Sequence, residues 1–306
     1  MRTLTLLMAL MLGLLTVPGE ENSSLAKENG YVINLDRAEK LEKMTYSSLF
    51  SKAGIIVLED TDESLLGKVD KLEVCDNNLY VLEKGRGLFL FNKQGKFIKM
   101  IGRKGKGPGE YIDPDDISID RENKKIYVLD SQTQNVLKYS GNGTFESSFK
   151  LENKGTRSTF IQPFKNALYT NLYTFDKSGR RFLLSKVDVT NGKRISFQFE
   201  ASQYNKGWNE LFSTNQHTFI SGPTGNPKFM QIFMDTIFEI TPKGIKPYIT
   251  LQSKKLVTKE YLETLIAEND MSKSARVSKI YDRLMKSGKI YNLSLIHISE
   301  PTRLDV

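Results

Sequence analysis

A pattern recurs along this chain about every fifty residues, and a period of that length restricts the fold more than any other feature of the sequence. "LYVLEKGRGLFLFNKQGKFIKMI" begins at Leu79 and "IYVLDSQTQNVLKYSGNGTFESSF" at Ile126. Both run apolar-Tyr-Val-Leu-acid, a loop, a second apolar run, a Gly turn and a Phe. Weaker copies follow in "LLSKVDVTNGKRISFQF" and "TIFEITPKGIKPYITL". The turn glycines are Gly95, Gly143, Gly192 and Gly244, spaced 48, 49 and 52 residues apart.

Each copy reads as short strands. In the first, Lys71–Cys75, Leu79–Glu83, Leu88–Asn92 and Phe97–Ile101 are separated by "DNN", "KGRG" and "KQG". Asn and Gly supply the positive φ that hairpin turns need. Four antiparallel strands per repeat make the blade of a β-propeller, so the fold class is all-β. A β-sandwich would not repeat its turn positions so regularly. Four blades are expected over about 69–251, at about 46 residues each. Beyond them, Leu262, Leu265, Ile266, Val277, Ile280, Tyr281, Leu284 and Met285 take helical spacing. A helical excursion is expected over about 258–287, with Thr258 as N-cap and Gly288 as stop. It would pack on the outside or rim of the propeller. The strands "YVINL" and "GIIVLE" precede the first complete blade and have no local hairpin partner. Their expected role is to close the ring.

Hydrophobic residues make up 39% of the 306 and charged residues 26%, enough for a packed core. The net charge of +8 comes from cations scattered among acids, which reads as a solvated basic surface and excludes a nucleic-acid stripe. Cys75 is the single cysteine, so no internal disulfide forms, and its alternating apolar setting makes it a small buried hydrophobe. The N-terminus has Arg2, an apolar run from Leu4 to Val17 and then polar residues. It reads as a signal peptide over residues 1–19, cut after Gly19, with a linker over 20–30. The run is too short to span a bilayer, so no transmembrane segment remains after cleavage. No cysteine follows it, so a lipobox is absent. The mature chain is expected to be periplasmic, cell-surface or secreted. At the other end, Leu293–Arg303, "LSLIHISEPTR", resembles a translated sequencing-library adapter. Residues 293–306, His297 included, are therefore set apart, and a parent chain is expected to continue past Asn292.

"EDTDESLLGKVDKLEV", "FNKQGKFIKMIGRKGKGPGEY", "ISIDRENKKIYVLD" and "MDTIFEITPKGIKPYITL" together resemble a known family. It is that of the exported six-bladed β-propeller proteins, NHL-like in blade pattern, of gut Gram-negative bacteria. The resemblance runs over roughly residues 31–292, and "IGRKGKGPGEY" is its most specific block. It implies six blades, and so about 90 further residues beyond the helices. Many members are lipoproteins, which the missing lipobox Cys does not match. An intact ring is expected to be monomeric.

The block "MIGRKGKGPGEY" at residues 100–111 poses the main functional question. Gly102 and Gly107 have the separation of a phosphate loop, but Pro108 stands for its Lys and Gly109 for its Ser/Thr. A dinucleotide fingerprint fails as well, because strand-like "EYIDPDDISID" follows where a helix should start. The block reads as a crossover from Ile101 to the next blade at Ile117. Arg103, Lys104, Lys106, Glu110 and Tyr111 are the candidate ligand-binding rim on it. Asp113, Asp115 and Asp116 lack the spacing and Gly of a Ca²⁺ loop. His217 has no companion ligand outside the tail, so neither zinc nor Ser-His-Asp chemistry has its residues. No catalytic residue, metal or cofactor is expected. Asp120 and Asp130 sit at strand ends, where a carboxylate accepts turn N–H groups. Trp208 could stack on a sugar, but a lone loop aromatic is more often a core anchor. The function expected is that of a cell-envelope binding or interaction module for a protein, peptide or glycan. The alternative is a lyase or hydrolase on a propeller scaffold, with catalytic groups on blades outside this chain.

Overall fold

A computed structural model describes residues 7–10, 30–37, 45, 54–153, 155–174, 180–208, 218–221, 225–267 and 273–290. The expected cleavage after Gly19, the linker up to residue 29, His217 and the tail from Leu293 lie outside the described residues. The chain forms two compact units. One holds Met1–Ser24, Glu39–Leu172 and Ser185–Ser196; the other holds Leu25–Ala38, Tyr173–Leu184 and Phe197–Val306.

Three of the sheets are four-stranded antiparallel blades, and the fold is an all-β propeller. Blade one runs Lys71–Cys75, Asn78–Glu83, Gly87–Asn92 and Phe97–Ile101 in sheet order. Blade two runs Pro114–Asp120, Lys125–Asp130, Asn135–Ser140 and Phe145–Lys150. Blade three runs Ile161–Phe164, Ala167–Asn171, Phe182–Asp188 and Arg194–Glu200. Strands such as "NLYVLE" read as nearly unbroken apolar runs because both of their faces are buried. Tyr80, Leu82, Leu88 and Leu90 turn one way and meet Ile117, Ile126, Val128 and Leu137 of blade two. Leu79, Val81, Phe89 and Phe91 turn the other way and meet Leu58 and Leu66. Burying a side chain of this size contributes about 1.5–3 kcal/mol.

The segment ahead of blade one repeats a junction found later in the chain. After the fourth strand of blade two, the Glu152 N–H donates to the Gly192 carbonyl at 3.0 Å, and the Arg194 N–H donates to the Glu152 carboxylate at 3.1 Å. Ahead of blade one, the Glu59 N–H donates to the Gly95 carbonyl at 2.7 Å, and the Phe97 N–H to the Glu59 carboxylate at 2.8 Å. Both turn glycines have positive φ, and a Cβ on either would lie about 2 Å from a carbonyl oxygen, of Lys150 or of Val57. "VLE" at residues 57–59 therefore stands to blade one as "KLE" at residues 150–152 stands to blade three. Gly54–Glu59 thus makes the contacts that the end of blade two's fourth strand and the residues after it make. In the structure Gly54–Val57 pairs antiparallel with the backbone of Leu7–Leu10.

In the second unit, the sheet order is Tyr31–Asn34, Gly244–Gln252, Thr236–Thr241, Lys228–Phe229 and Phe219–Ile220. Tyr31–Asn34 adds in parallel, with Tyr31 opposite Ile249 and Asn34 opposite Gln252. "YVINL", which has no local hairpin partner in the sequence, thus finds its partner in a distant strand of the same chain. No hairpin signal marks this pairing because a parallel strand can come from anywhere in the sequence. Asp36 fastens the strand by accepting from the Ser253 hydroxyl at 2.6 Å and the Lys254 N–H at 2.8 Å. Two helices follow, Lys259–Ala267 and Lys273–Ser287. The Thr258 hydroxyl accepts the Tyr261 N–H at 3.2 Å as an N-cap, and Gly288 ends the second helix at φ +65°. Leu262, Leu265, Ile280 and Leu284 pack on Trp208, Phe233 and Val257. Trp208 is only 4% exposed, so it anchors this cluster and presents no ring to a sugar.

Candidate binding face

The glycine-rich crossover is a compact loop. Arg103–Lys104 pairs in parallel with Glu110–Tyr111, and the Gly105 N–H donates to the Tyr111 carbonyl at 3.0 Å. The Glu110 carboxylate turns into the loop and accepts from the Gly107 N–H at 2.9 Å and from Arg103 Nε at 2.6 Å. A Cβ on Gly105 would lie 1.9 Å from this carboxylate. The Gly107 N–H and then the Arg103 guanidinium hold the Glu110 carboxyl below the usual carboxylate range. The loop does cradle an anion, and the anion is its own side chain.

The five candidate rim residues divide. Arg103, Lys104 and Lys106 are exposed and Glu110 is half-buried. Tyr111 is 1% exposed and lies beneath the loop. Its hydroxyl donates to the Ile101 carbonyl at 2.9 Å and accepts the Leu88 N–H at 3.1 Å. Burial pushes its pKa up. Tyr111 is therefore an anchor for the loop and no part of its surface; a Tyr that follows a glycine-rich run looks the same in sequence either way. Tyr139 supports the loop from blade two, donating its hydroxyl to the Gly109 carbonyl at 3.0 Å.

The "KGRG" loop of blade one lies beside the crossover, since Lys84 Nζ is 3.6 Å from Asp115. The Ser131 hydroxyl also donates to Asp115. Burial raises the Asp115 pKa, against the pull of Lys84. Below this edge, charged pairs join the first strands of blades one and two. Lys71 Nζ is 2.8 Å from the Asp116 carboxylate, and Arg121 is 3.0 Å from Glu73. The second Asp116 oxygen accepts the Ile161 N–H at 2.8 Å, so one fully buried carboxylate links three blades. Burial works against the Lys71 ammonium, yet Asp116 and Glu73 together outweigh it and raise its pKa. For Glu73 burial dominates and raises the carboxyl, despite Lys71 and Arg121. The pairing is unequal: Lys71 belongs to Asp116, and Glu73 is the more distant neighbour at 3.8 Å. Sequence reasoning did not find Lys71, Glu73 or Arg121; the charges at alternate positions of "KLEVC" were the available signal.

The acid that closes each second strand also has a fixed task. Glu83 accepts the Gly67 N–H at 3.3 Å, and Asp130 the Ile112 N–H at 2.7 Å. In blade three Asn171 replaces the acid and accepts the Thr159 and Phe160 N–H groups at 2.9 and 2.8 Å. These side chains hold the incoming crossovers. Asp120 accepts the N–H groups of Glu122 and Asn123 within its own turn, both at 3.1 Å. Among the described residues, no three His, Cys, Asp or Glu side chains are grouped to hold a metal ion.

Residues 30–293 match the sequence model of a family described as a domain of unknown function (DUF4934). The chain belongs to this family. No curated protein matches it in sequence. Among solved structures, the DUF4934 chain resembles a Bacteroides fragilis protein described as exported, at 21% identity and a TM-score of 0.59. That match covers 74% of this chain and 62% of the other, so the chain spans less than two thirds of its relative's length. A member of the DUF4221 family from Bacteroides vulgatus gives 10% identity and a TM-score of 0.44, covering 65% and 64%. A streptogramin B lyase gives 21% and 0.43, covering 66% and 60%. These likenesses concern the fold. No described helix is long and apolar enough to cross a membrane.

Proposed function

We propose that this chain is an exported, NHL-like six-bladed β-propeller of the cell envelope. It works as a binding module for a protein, peptide or glycan through the crossover face between its first two blades. The observation that carries the reading is the crossover itself, an exposed connector held far more firmly than connection requires. Gly105 and Gly109 leave no room for a Cβ, Glu110 ties the loop from within, and Tyr111 and Tyr139 fix it from below. A loop backbone tied down in this way, with Arg103 held by Glu110, presents its cations from a preorganised frame. Export is supported by the N-terminal apolar run and by the relative described as exported. A ring of more than four blades is supported by Gly54–Glu59, which makes the contacts of a fourth strand's end ahead of blade one.

Site-specific photo-crosslinking tests the reading. A photoreactive residue replaces the exposed Pro108 on the crossover, or Lys93 in the turn after Gly87–Asn92, and the exported full chain is irradiated with envelope extract. A discrete adduct is expected from position 108 and none from 93. Equal labelling from both positions, or none from either, contradicts the reading.

A further inference from the structure

We infer that the ligand of the crossover face is an acidic polypeptide segment, recognised by Lys104 and Lys106 with Arg103 beside them. The inference rests on the binding reading above and names the class of ligand. Acids and cations on this face are sorted by depth. The Glu83 side chain is 11% exposed and Glu110 18%, and both are engaged by Arg86, Arg103 or backbone N–H groups. Arg103 is 81% exposed, and Lys104 and Lys106 are exposed, with no carboxylate among the described residues on either ammonium. A partner therefore meets cations first.

The sorting also assigns the contacts. The loop's N–H and Arg103 Nε positions are already filled by Glu110, so an incoming carboxylate meets the two free ammonium groups and the outer edge of the Arg103 guanidinium. Lys104 and Lys106 are two residues apart across Gly105, a spacing that suits alternate acidic side chains of an extended peptide. A glycan fits less well. Sugar recognition uses exposed aromatic faces, and the crossover's Tyr111 is buried while Trp208 is committed to a core.

Fluorescence anisotropy with three labelled decapeptides tests this: decaglutamate, decalysine and a Gly-Ser repeat. The proteins are the full chain, K104Q/K106Q, and the control K93Q/K96Q, which loses the same charge from an exposed turn. Decaglutamate alone should bind. K104Q/K106Q should weaken it roughly tenfold and flatten its salt dependence, while the control leaves it within about twofold. Equal weakening by both variants shows attraction by net charge alone and overturns the proposal, as does failure of decaglutamate to bind. If decaglutamate fails while the position-108 crosslink persists, the ligand class is wrong and the face stands. If both fail, the face is wrong as well.

Discussion

Asp116→Ala should be among the most damaging single changes in the first unit. The carboxylate is fully buried and holds Lys71 Nζ at 2.8 Å and the Ile161 N–H at 2.8 Å. Removing one partner of a buried ion pair costs about 3–5 kcal/mol. Glu73 remains 3.8 Å from Lys71, which places the loss near the lower end of that range. The stranded Ile161 N–H adds about 1–2 kcal/mol. The expected total is about 4–5 kcal/mol, read from urea unfolding of the full chain by far-ultraviolet circular dichroism. Asp116→Asn keeps an oxygen for Ile161 and should cost only the ion pair, about 3 kcal/mol. Replacing the pair together, Lys71→Met with Asp116→Leu, should recover most of the loss, because no buried charge is left alone. An Asp116→Ala variant within about 1 kcal/mol of the parent would refute the three-blade role given to this carboxylate.

Other outcomes follow from the same geometry. Tyr111→Phe leaves the buried Leu88 N–H without its acceptor and should cost about 1–3 kcal/mol in the same unfolding assay. Gly105→Ala should expel the Glu110 carboxylate, seen as faster hydrogen exchange at the Gly107 amide with the core amides unchanged. Glu110 has a folded pKa below its unfolded value of 4.5, so its contribution is complete above that value and lost as pH falls through the folded pKa. Exchange at Gly107 should therefore accelerate, relative to the Glu110→Gln chain, only in that acidic window. Leu284→Ala should cost about 2–5 kcal/mol and red-shift the fluorescence of Trp208, the single tryptophan, by loosening the helices packed on it.

What the sequence disclosed was the part governed by local rules. Turn glycines about fifty residues apart and apolar runs between them specify blades, because each hairpin carries its own turn chemistry. Thr258 and Gly288 marked the helical excursion for the same reason. The crossover was legible as a connector from Pro108 and Gly109 alone. Pairings between distant residues carry no such signal. Tyr31–Asn34 reaches a strand more than two hundred residues away, and Lys71 meets an acid in another blade. Tyr111 was misplaced because its rim and anchor roles call for the same residue, and only the position of Ile101 and Leu88 decides between them. The repeated Leu-Glu at Leu58–Glu59 and Leu151–Glu152 was present in the sequence, but its meaning depends on which glycine each glutamate faces.

The central claim is that the crossover face is where this propeller meets its ligand. Hydrogen exchange of the full chain, with and without envelope extract, tests it most directly. Protection should appear at residues 102–111 and in the adjoining loop at 84–87, and should be absent at the opposite turns, 92–96 and 140–144. Protection confined to those opposite turns, or spread evenly over both ends of the blades, would contradict the account.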